Sequence, residues 1–241
     1  MKADSYLFTN KGGKEQNEDF SAYREEAGSG IYVAADGLGG YRHGDLASKC
    51  VAEAVLEAWD SEYDGDRSDW LEEQIKAANQ KLMECQQELQ CTMKSTIAAL
   101  AIDGKKAVWA NVGDTRLYYI HHREMVHMTE DHSVAYKKYK AGQITKAQIN
   151  EDEDQSGLLR CLGGEERWEP DVYESTDGLA PGDGFLICTD GLWKYLCDEE
   201  ILVDFLKAEK ARDWAELLLL RVIDRIVPGS DNLTVLTVMV E

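Results

Sequence analysis

The amino-acid sequence predicts an α+β fold in which two β-sheets are covered by pairs of helices. Short apolar runs bounded by turn residues, which are typical of buried strands, occur in separate blocks along the chain. Apolar residues at helical spacing form one pair of segments after the first block and another pair near the end of the chain. Because each helix buries one apolar face, these pairs are expected to cover the outer faces of the sheets.

The first half of the chain contains most of the predicted strands and the first helix pair. Apolar runs predict strands over residues 5–9, 20–24, 31–35, 96–102, 107–112, 117–120 and 125–128. Apolar residues at spacings of three and four predict helices over residues 46–58 and 71–89. Two antiparallel helices on one face of a sheet are the simplest packing of these segments.

The second half of the chain is polar at first and then regains clear apolar segments. Residues 132–164 form a polar stretch that we interpret as a partly helical excursion near the site, capable of movement. Strands are expected over residues 185–189 and 233–240, and helices over residues 199–207 and 214–226. The sequence contains no repeat, linker or low-complexity tract, so we expect a single domain over residues 1–241.

The charge balance and the cysteine pattern exclude several classes of protein. The chain carries 26 Lys and Arg against 46 Asp and Glu, a formal net charge of −20. Such a negative field repels nucleic-acid backbones and anionic lipids, so neither a nucleic acid nor a membrane is expected as a partner. The six cysteines form no CxxC pair, and the amino terminus shows no apolar signal segment. Reduced thiols and a cytoplasmic location are therefore expected.

Three aspartates sit where predicted buried strands begin or end. Asp36 and Asp190 each follow an apolar run and precede a glycine, whereas Asp231 precedes the last apolar run. If the last strand runs antiparallel to the other two, all three carboxylates share one sheet edge. Glu18 and Asp19, ahead of another predicted strand, can join them by the same logic. Buried like charges require cations, and oxygen ligands favour Mg²⁺ or Mn²⁺, so the sequence predicts a site for several divalent ions.

Ordered sequence blocks spread over nearly the whole chain carry a family resemblance. The chain resembles the metal-dependent serine/threonine protein phosphatases of type 2C, in their compact bacterial form. The blocks include Asn17-Glu18-Asp19, Asp36-Gly37-Leu38-Gly39-Gly40, Asn111-Val112-Gly113-Asp114-Thr115-Arg116, Asp190-Gly191-Leu192-Trp193 and Asp231-Asn232-Leu233-Thr234-Val235. A single Asp-Gly pair would carry no weight, but an ordered set of such blocks is very specific.

This resemblance implies a fold and an activity. The implied fold is a four-layer α-β-β-α sandwich with two central antiparallel β-sheets flanked by helix pairs. The implied activity is hydrolysis of phosphoserine and phosphothreonine in proteins, by attack of a metal-bridging hydroxide on phosphorus. Two Mn²⁺ or Mg²⁺ ions per site, with a weaker third ion, are the expected cofactors. The enzyme would oppose a cognate bacterial serine/threonine kinase, and we expect it to be a monomer.

The resemblance also assigns roles to particular residues. The catalytic acids that hold the hydroxide are expected to be Asp36, Asp190 and Asp231. The full set of expected metal ligands is Asp36, the carbonyl of Gly37, Asp190 and Asp231, with Asp131 for the third ion and Glu18 and Asp19 acting through water. Residues of about 133–160 correspond to the variable flap of the family. We interpret Asp114 and Arg116 as a structural pair in a hairpin rather than as catalytic groups.

Two positions depart from the usual family pattern. Lys14 stands three residues before Asn17, where the family usually has an arginine that binds the substrate phosphate. Lysine offers a point charge without a bidentate fork, so weaker phosphate binding is expected. Leu38 occupies a position where some relatives have a histidine that serves as a candidate general acid. A metal-bound water is the expected proton donor instead, with His43 and His132 as the alternatives.

Two other functions are compatible with the same sequence. A catalytically weak chain would act as a phosphoprotein-binding regulator, although the intact acidic residues argue against this. A small-molecule phosphohydrolase would use the same fold on a different substrate. Manganese-dependent hydrolysis of an aryl phosphate separates an enzyme from a regulator, and substrate profiling separates the two enzymes.

Overall fold

A computed structural model of the protein describes residues 2–26, 28–38, 43–164 and 168–241. The strands in these ranges are β1 (Ala3–Asn10), β2 (Asp19–Glu26), β3 (Ser29–Asp36), β4 (Ile97–Asp103), β5 (Lys106–Val112), β6 (Arg116–His121), β7 (Glu124–Met128), β8 (Asp171–Glu174), β9 (Gly184–Cys188) and β10 (Leu233–Val240). The helices are α1 (Gly44–Glu57), α2 (Arg67–Leu89), α3 (Val134–Lys140), α4 (Asp190–Trp193), α5 (Asp198–Lys207) and α6 (Ala211–Arg225), with a 3₁₀ helix at Lys146–Glu151. No helix in the described ranges is long and apolar enough to cross a bilayer.

The strands form two five-stranded sheets. The first sheet has the order β1-β10-β9-β6-β7, and the second has the order β2-β3-β4-β5-β8. Neighbouring strands are antiparallel in both sheets. Short connections between β2 and β3, β4 and β5, and β6 and β7 explain much of this order, because a two-residue connection returns the chain antiparallel to itself.

Three apolar layers hold the two sheets and the helices together. Successive residues of a strand point to opposite faces, so each sheet contributes to two layers. Val33 packs under helices α1 and α2, whereas the adjacent Tyr32 lies between the sheets with Phe185. Leu186, next to Phe185, packs with Trp214 of helix α6 on the far side of the first sheet. The predicted four-layer sandwich of two antiparallel sheets is confirmed.

Two short elements escaped the sequence-based prediction. Strand β8 and helix α4 contain four residues each, which is too short for apolar periodicity to reveal. Helix α2 also begins four residues earlier than predicted, at Arg67. The carboxylate of Asp66 accepts hydrogen bonds from the backbone N–H groups of Ser68 and Asp69 and so caps this end of the helix.

The polar stretch over residues 132–164 is a partly helical excursion, as predicted. It contains helix α3 and the 3₁₀ helix. Lys138 on α3 contacts the carboxylates of Asp152 and Asp154, each at 2.8 Å. The side-chain amide of Asn150 donates a hydrogen bond to the carbonyl of Lys194 at 2.9 Å. The excursion is thereby attached to the segment that follows helix α4.

Candidate active site

A hollow of about 440 Å³ opens at one end of the sandwich and is lined by acidic side chains. Asp36 ends strand β3, Asp190 begins helix α4 just after strand β9, and Asp231 lies just before strand β10. Strands β9 and β10 are antiparallel neighbours, which places Asp190 and Asp231 at the same end of the first sheet. The structure therefore brings the three predicted aspartates together.

The expectation that these acids share one sheet edge is corrected by the topology. Asp36 belongs to the second sheet, whereas Asp190 and Asp231 flank strands of the first sheet. The carboxylates meet because the two stacked sheets end at the same level, so the hollow lies between the sheets. Its lining also includes Glu18, Gly37 and other residues, namely Lys14, Leu38, Lys94, Asp114, Ser156, Leu158, Cys161 and Asn232.

Asp19 is a buried acid immediately behind this hollow. It stands opposite Asp36 in the register of strands β2 and β3. One carboxylate oxygen accepts hydrogen bonds from the hydroxyls of Thr189 and Thr234, at 2.8 and 2.7 Å, whereas Oδ1 is buried without a partner in the protein. Burial raises the pKa of Asp19 to about 7, opposed by the two hydroxyls and assisted by the nearby carboxylates.

Asn232 fixes the loop that carries Lys14 and Glu18. Its side-chain oxygen accepts a hydrogen bond from the backbone N–H of Glu18 at 2.8 Å. Its side-chain N–H groups donate to the carbonyls of Lys11 and Gln16, both at 2.9 Å. One side chain at the start of strand β10 thus attaches the amino-terminal loop to the same end of the first sheet.

Close backbone contacts explain why glycine follows two of the acidic residues. A Cβ atom added at Gly37 would lie 2.0 Å from the carbonyl oxygen of Gly44. A Cβ atom added at Gly191 would lie 1.9 Å from the carbonyl oxygen of Asn232. Both distances are far below van der Waals contact, so the chain requires glycine at each position to bring the acidic residues together. Gly39 and Gly40, which complete the first motif, lie outside the described residues.

Two of the three predicted catalytic aspartates are paired with lysines. The ammonium group of Lys194 contacts the carboxylate of Asp190, and that of Lys14 lies 3.1 Å from the carboxylate of Asp231. Within the described ranges, no three acidic, imidazole or thiol groups are already arranged around one point as metal ligands. The lack of such an arrangement in these ranges is consistent with the pairing of Asp190 and Asp231 with the ammonium groups of Lys194 and Lys14.

The charge and donor chemistry of the hollow nevertheless fit divalent cations. Oδ1 of Asp190 is buried and has no hydrogen-bond partner in the protein. Burial, together with the carboxylates of Asp19 and Asp190, holds the pKa of Asp36 well above its usual range. Burial likewise raises the pKa of Glu18. Carboxylates crowded together in this way are costly to ionise. Hard cations such as Mg²⁺ and Mn²⁺ bind oxygen ligands and stabilise the ionised carboxylates.

Asp114 is a site residue that sequence reasoning missed. It lines the hollow, is buried, and burial together with the charge of Asp190 raises its pKa to about 8. The interpretation of Asp114 and Arg116 as a structural pair is wrong. Both side-chain hydrogen bonds from the guanidinium of Arg116 to a carboxylate go to Asp131, at 2.8 and 2.6 Å. The signal that the sequence offered for Asp114 was the position of this residue in the family block over residues 111–116.

Asp131 lies behind the hollow rather than in its lining. Both of its oxygens accept hydrogen bonds from Arg116, whose guanidinium stacks 3.6 Å from the ring centroid of Trp193. This bidentate pair is almost fully buried. A third-ion role for Asp131 stays a prediction that this geometry does not favour, and Asp114 is better placed for it.

Neither histidine considered as a proton donor lines the hollow. Nδ1 of His132 accepts a hydrogen bond from the backbone N–H of Gly113 at 3.1 Å, and Nε2 lies 3.1 Å from a carboxylate oxygen of Asp171. Burial lowers the pKa of His132, and the ring borders a different hollow. His43 is exposed at the start of helix α1. The geometry therefore favours neither alternative.

Comparison with known proteins identifies the family. A family model described as "Protein phosphatase 2C" matches residues 10–214. The chain belongs to the protein phosphatase 2C family. The predicted resemblance is confirmed, and the predicted flap borders the phosphatase site through Ser156 and Leu158.

Relatives of this phosphatase 2C chain agree in sequence and in structure. It is 31% identical over 201 residues to the protein phosphatase PhpP of Streptococcus pneumoniae, covering 81% of each chain. It is similar to the crystal structure of the serine/threonine phosphatase Stp1 from Staphylococcus aureus, with 27% identity, a TM-score of 0.87 and coverage of 100% and 96%. The catalytic domain of the serine/threonine protein phosphatase PstP, in complex with 2 manganese ions, gives 26% identity, a TM-score of 0.83 and 99% coverage of both chains.

Proposed function

We propose that this protein is a metal-dependent phosphatase that hydrolyses phosphoserine and phosphothreonine in proteins. The observation that carries the proposal is the meeting of Asp36, Asp190 and Asp231 in one hollow, in a chain of the protein phosphatase 2C family. The names of its relatives, which include serine/threonine phosphatases, support the same activity.

The hollow has oxygen donors for two divalent ions, which we propose to be Mn²⁺ or Mg²⁺. Asp36, Asp190, Asp231 and the carbonyl of Gly37 would hold them, with Glu18 and other neighbouring acids acting through water. The 2 manganese ions in the PstP complex support this number. When bound, such ions lower the pKa of coordinated water and screen the negative charge of a phosphate ester.

Side chains of the hollow would position the substrate phosphate and determine which group donates a proton to the leaving alkoxide. Lys14 and Lys94 bring positive charge to a hollow whose other charged lining residues are acids, which favours entry of a phosphate group. Asn232 holds the loop that carries Lys14, so the position of that ammonium group depends on strand β10. Leu38 lines the hollow and cannot donate a proton. A solvent molecule is therefore the proposed proton donor to the leaving alkoxide.

The proposed partners follow from the reaction. The substrates are proteins phosphorylated on serine or threonine, and a serine/threonine kinase that phosphorylates the same proteins would be opposed. We propose that the chain acts as a monomer, since the acids of the site all come from one chain. A small-molecule phosphohydrolase is the competing proposal, and it predicts a higher kcat/KM for a small ester than for a phosphopeptide.

The test compares the wild-type protein with Asp190→Asn in the presence of Mn²⁺. The expected result is hydrolysis of para-nitrophenyl phosphate and of a phosphothreonine peptide, with a loss of more than about 100-fold in the variant, since even indirect ligand contacts are worth about 10- to 100-fold. Asp177→Asn, on an exposed loop, is the matched control and should retain activity. Equal activity of wild type and Asp190→Asn, or no hydrolysis by the wild type, would contradict the proposal.

A further inference from the structure

A second hollow, of about 460 Å³, lies beside the proposed active site and is lined mainly by apolar residues. We call it the α6 groove and define it by Phe8, Leu219, Leu220, Ile223, Ile226 and Leu233. On its helical side, Leu220 and Ile223 are 63% and 65% exposed, and Ile226 is 41% exposed. Val227, next to Ile226, is 62% exposed. Contiguous exposed apolar surface of this kind marks an interaction site.

Helix α6 does not need these residues to pack on its own sheet. Trp214, Leu218 and Val222 form its buried stripe against the first sheet. Leu220 and Ile223, at a spacing of three, form a second apolar stripe that faces outward. An ordinary surface helix has one apolar face and a polar face opposite it. The second stripe therefore requires an explanation other than folding.

The α6 groove is continuous with the catalytic hollow. Asp231 lines both hollows, and Gly191, which follows the proposed ligand Asp190, lines the groove. Lys14, on the catalytic side, contacts the carboxylate of Asp231. A polypeptide with its phosphate in the catalytic hollow can therefore reach the groove by passing Asp231.

Resting on the proposed function, we propose that the α6 groove binds a segment of the phosphoprotein substrate that carries apolar side chains close to the phosphorylated residue. The side of helix α6 from Glu216 to Ile226 is about 15 Å long, which four or five residues of an extended peptide span. The two acidic residues that line the groove, Glu216 and Asp231, are ion-paired with Arg212 and Lys14, and the described lining residues include no lysine or arginine. The chain charge of −20 favours a substrate segment with basic residues around its apolar ones.

The test uses two phosphothreonine peptides with identical basic residues. One has leucine or isoleucine within six residues of the phosphothreonine on both sides, and the other has serine at those positions. The proteins are the wild type, the double variant Leu220→Asp/Ile223→Asp, and Val203→Asp as a control at an exposed apolar position of helix α5. Thermal unfolding confirms that each variant is folded.

The wild type should favour the apolar peptide by about tenfold or more in kcat/KM, since burial of one large apolar side chain supports a factor of that size. The double variant should lose this preference through a higher KM. It should also retain kcat/KM for para-nitrophenyl phosphate within about twofold, because the small ester does not reach the groove. Val203→Asp should behave as the wild type.

Different outcomes overturn the groove proposal and the proposed function. Equal use of both peptides by the wild type, with efficient turnover, overturns the groove and leaves the phosphatase activity intact. Absence of all turnover overturns the proposed function. Fluorescence anisotropy of the labelled peptides in EDTA then tests the groove without catalysis, and equal binding of the two peptides by the wild type would overturn it. A third outcome is that the wild type sediments as a dimer, the double variant sediments as a monomer, and the two have the same peptide preference. This result would assign the groove to a second copy of the chain and overturn the proposal.

Discussion

The ammonium group of Lys194 contacts the carboxylate of Asp190 one helical turn earlier in the chain. Both side chains are largely buried, with 20% and 12% exposure. Asp190 is one of the acids proposed to hold divalent ions, so a protein cation already neutralises part of the charge that those ions would neutralise. Binding of an ion at Asp190 therefore has to displace or tolerate this ammonium group.

Replacement of Lys194 by methionine should increase the affinity of the protein for Mn²⁺ several-fold, because a competing positive charge is removed from the site. The same change should lower the melting temperature in EDTA, since Asp190 then lacks its partner. Isothermal titration calorimetry and thermal unfolding measure the two effects. Lys207→Met, which removes an exposed lysine paired with Asp204, is the matched control. Weaker Mn²⁺ binding by Lys194→Met would show that Lys194 positions Asp190 instead.

Replacement of Lys14 by arginine should lower the KM for a phosphopeptide and leave kcat unchanged. The ammonium group of Lys14 borders the hollow as a single point charge, whereas a guanidinium group can form two parallel hydrogen bonds with a phosphate. Steady-state kinetics with a phosphothreonine peptide measure both constants. An unchanged or higher KM would contradict a role of Lys14 in binding phosphate.

The buried pair of Arg116 and Asp131 is expected to stabilise the fold rather than bind metal. Asp131→Asn should lower the free energy of unfolding by about 3–5 kcal/mol, because it leaves the buried guanidinium without its counter-charge. The affinity of the Asp131→Asn variant for Mn²⁺ should match that of the wild type. Urea unfolding and calorimetry provide the two measurements, with Glu216→Gln at an exposed ion pair as the control. A stable variant with weakened metal binding would instead assign Asp131 to the third ion.

The contribution of Asp19 and Asp114 to the stability of the metal-free protein should fall as the pH rises from about 5 to 8. Burial raises the pKa of Asp19 to about 7 and that of Asp114 to about 8, whereas an unfolded aspartate ionises near pH 4. In that interval the folded chain binds more protons than the unfolded chain, so these groups stabilise the fold at low pH and lose this contribution as the pH rises.

Asp114→Asn should make this decline shallower, since one of the responsible groups no longer titrates. Urea unfolding in EDTA at several pH values measures the slope, and the surface variant Asp177→Asn controls for the loss of one acidic residue. A slope for Asp114→Asn equal to that of the wild type would exclude Asp114 as a contributor.

Much of the fold and the main acids of the site were predictable because they depend on backbone periodicity. The apolar runs located the strands, and the three aspartates were found because Asp36 and Asp190 follow such runs and Asp231 precedes one. Sequence alone could not show that Asp36 comes from a different sheet than the other two. That arrangement depends on how the sheets stack, which no local pattern records.

The remaining features depend on where side chains point after the chain has packed. Arg116 stands two residues after Asp114 but bonds to Asp131, because Asp114 lies in the connection before strand β6 and lines the hollow instead. Lys194 stands four positions after Asp190, a spacing at which two side chains meet on a helix. Helix α4 is too short to be predicted from the sequence, so the spacing did not indicate this contact. Electrostatic partners of buried acids are set by tertiary contacts of this kind.

Anomalous X-ray diffraction from crystals soaked in Mn²⁺ tests the central claim most directly. Manganese peaks are expected in the hollow, with carboxylate oxygens of Asp36, Asp190 and Asp231 at coordinating distance. A well-ordered hollow with these side chains in place and no manganese peak among them would contradict it.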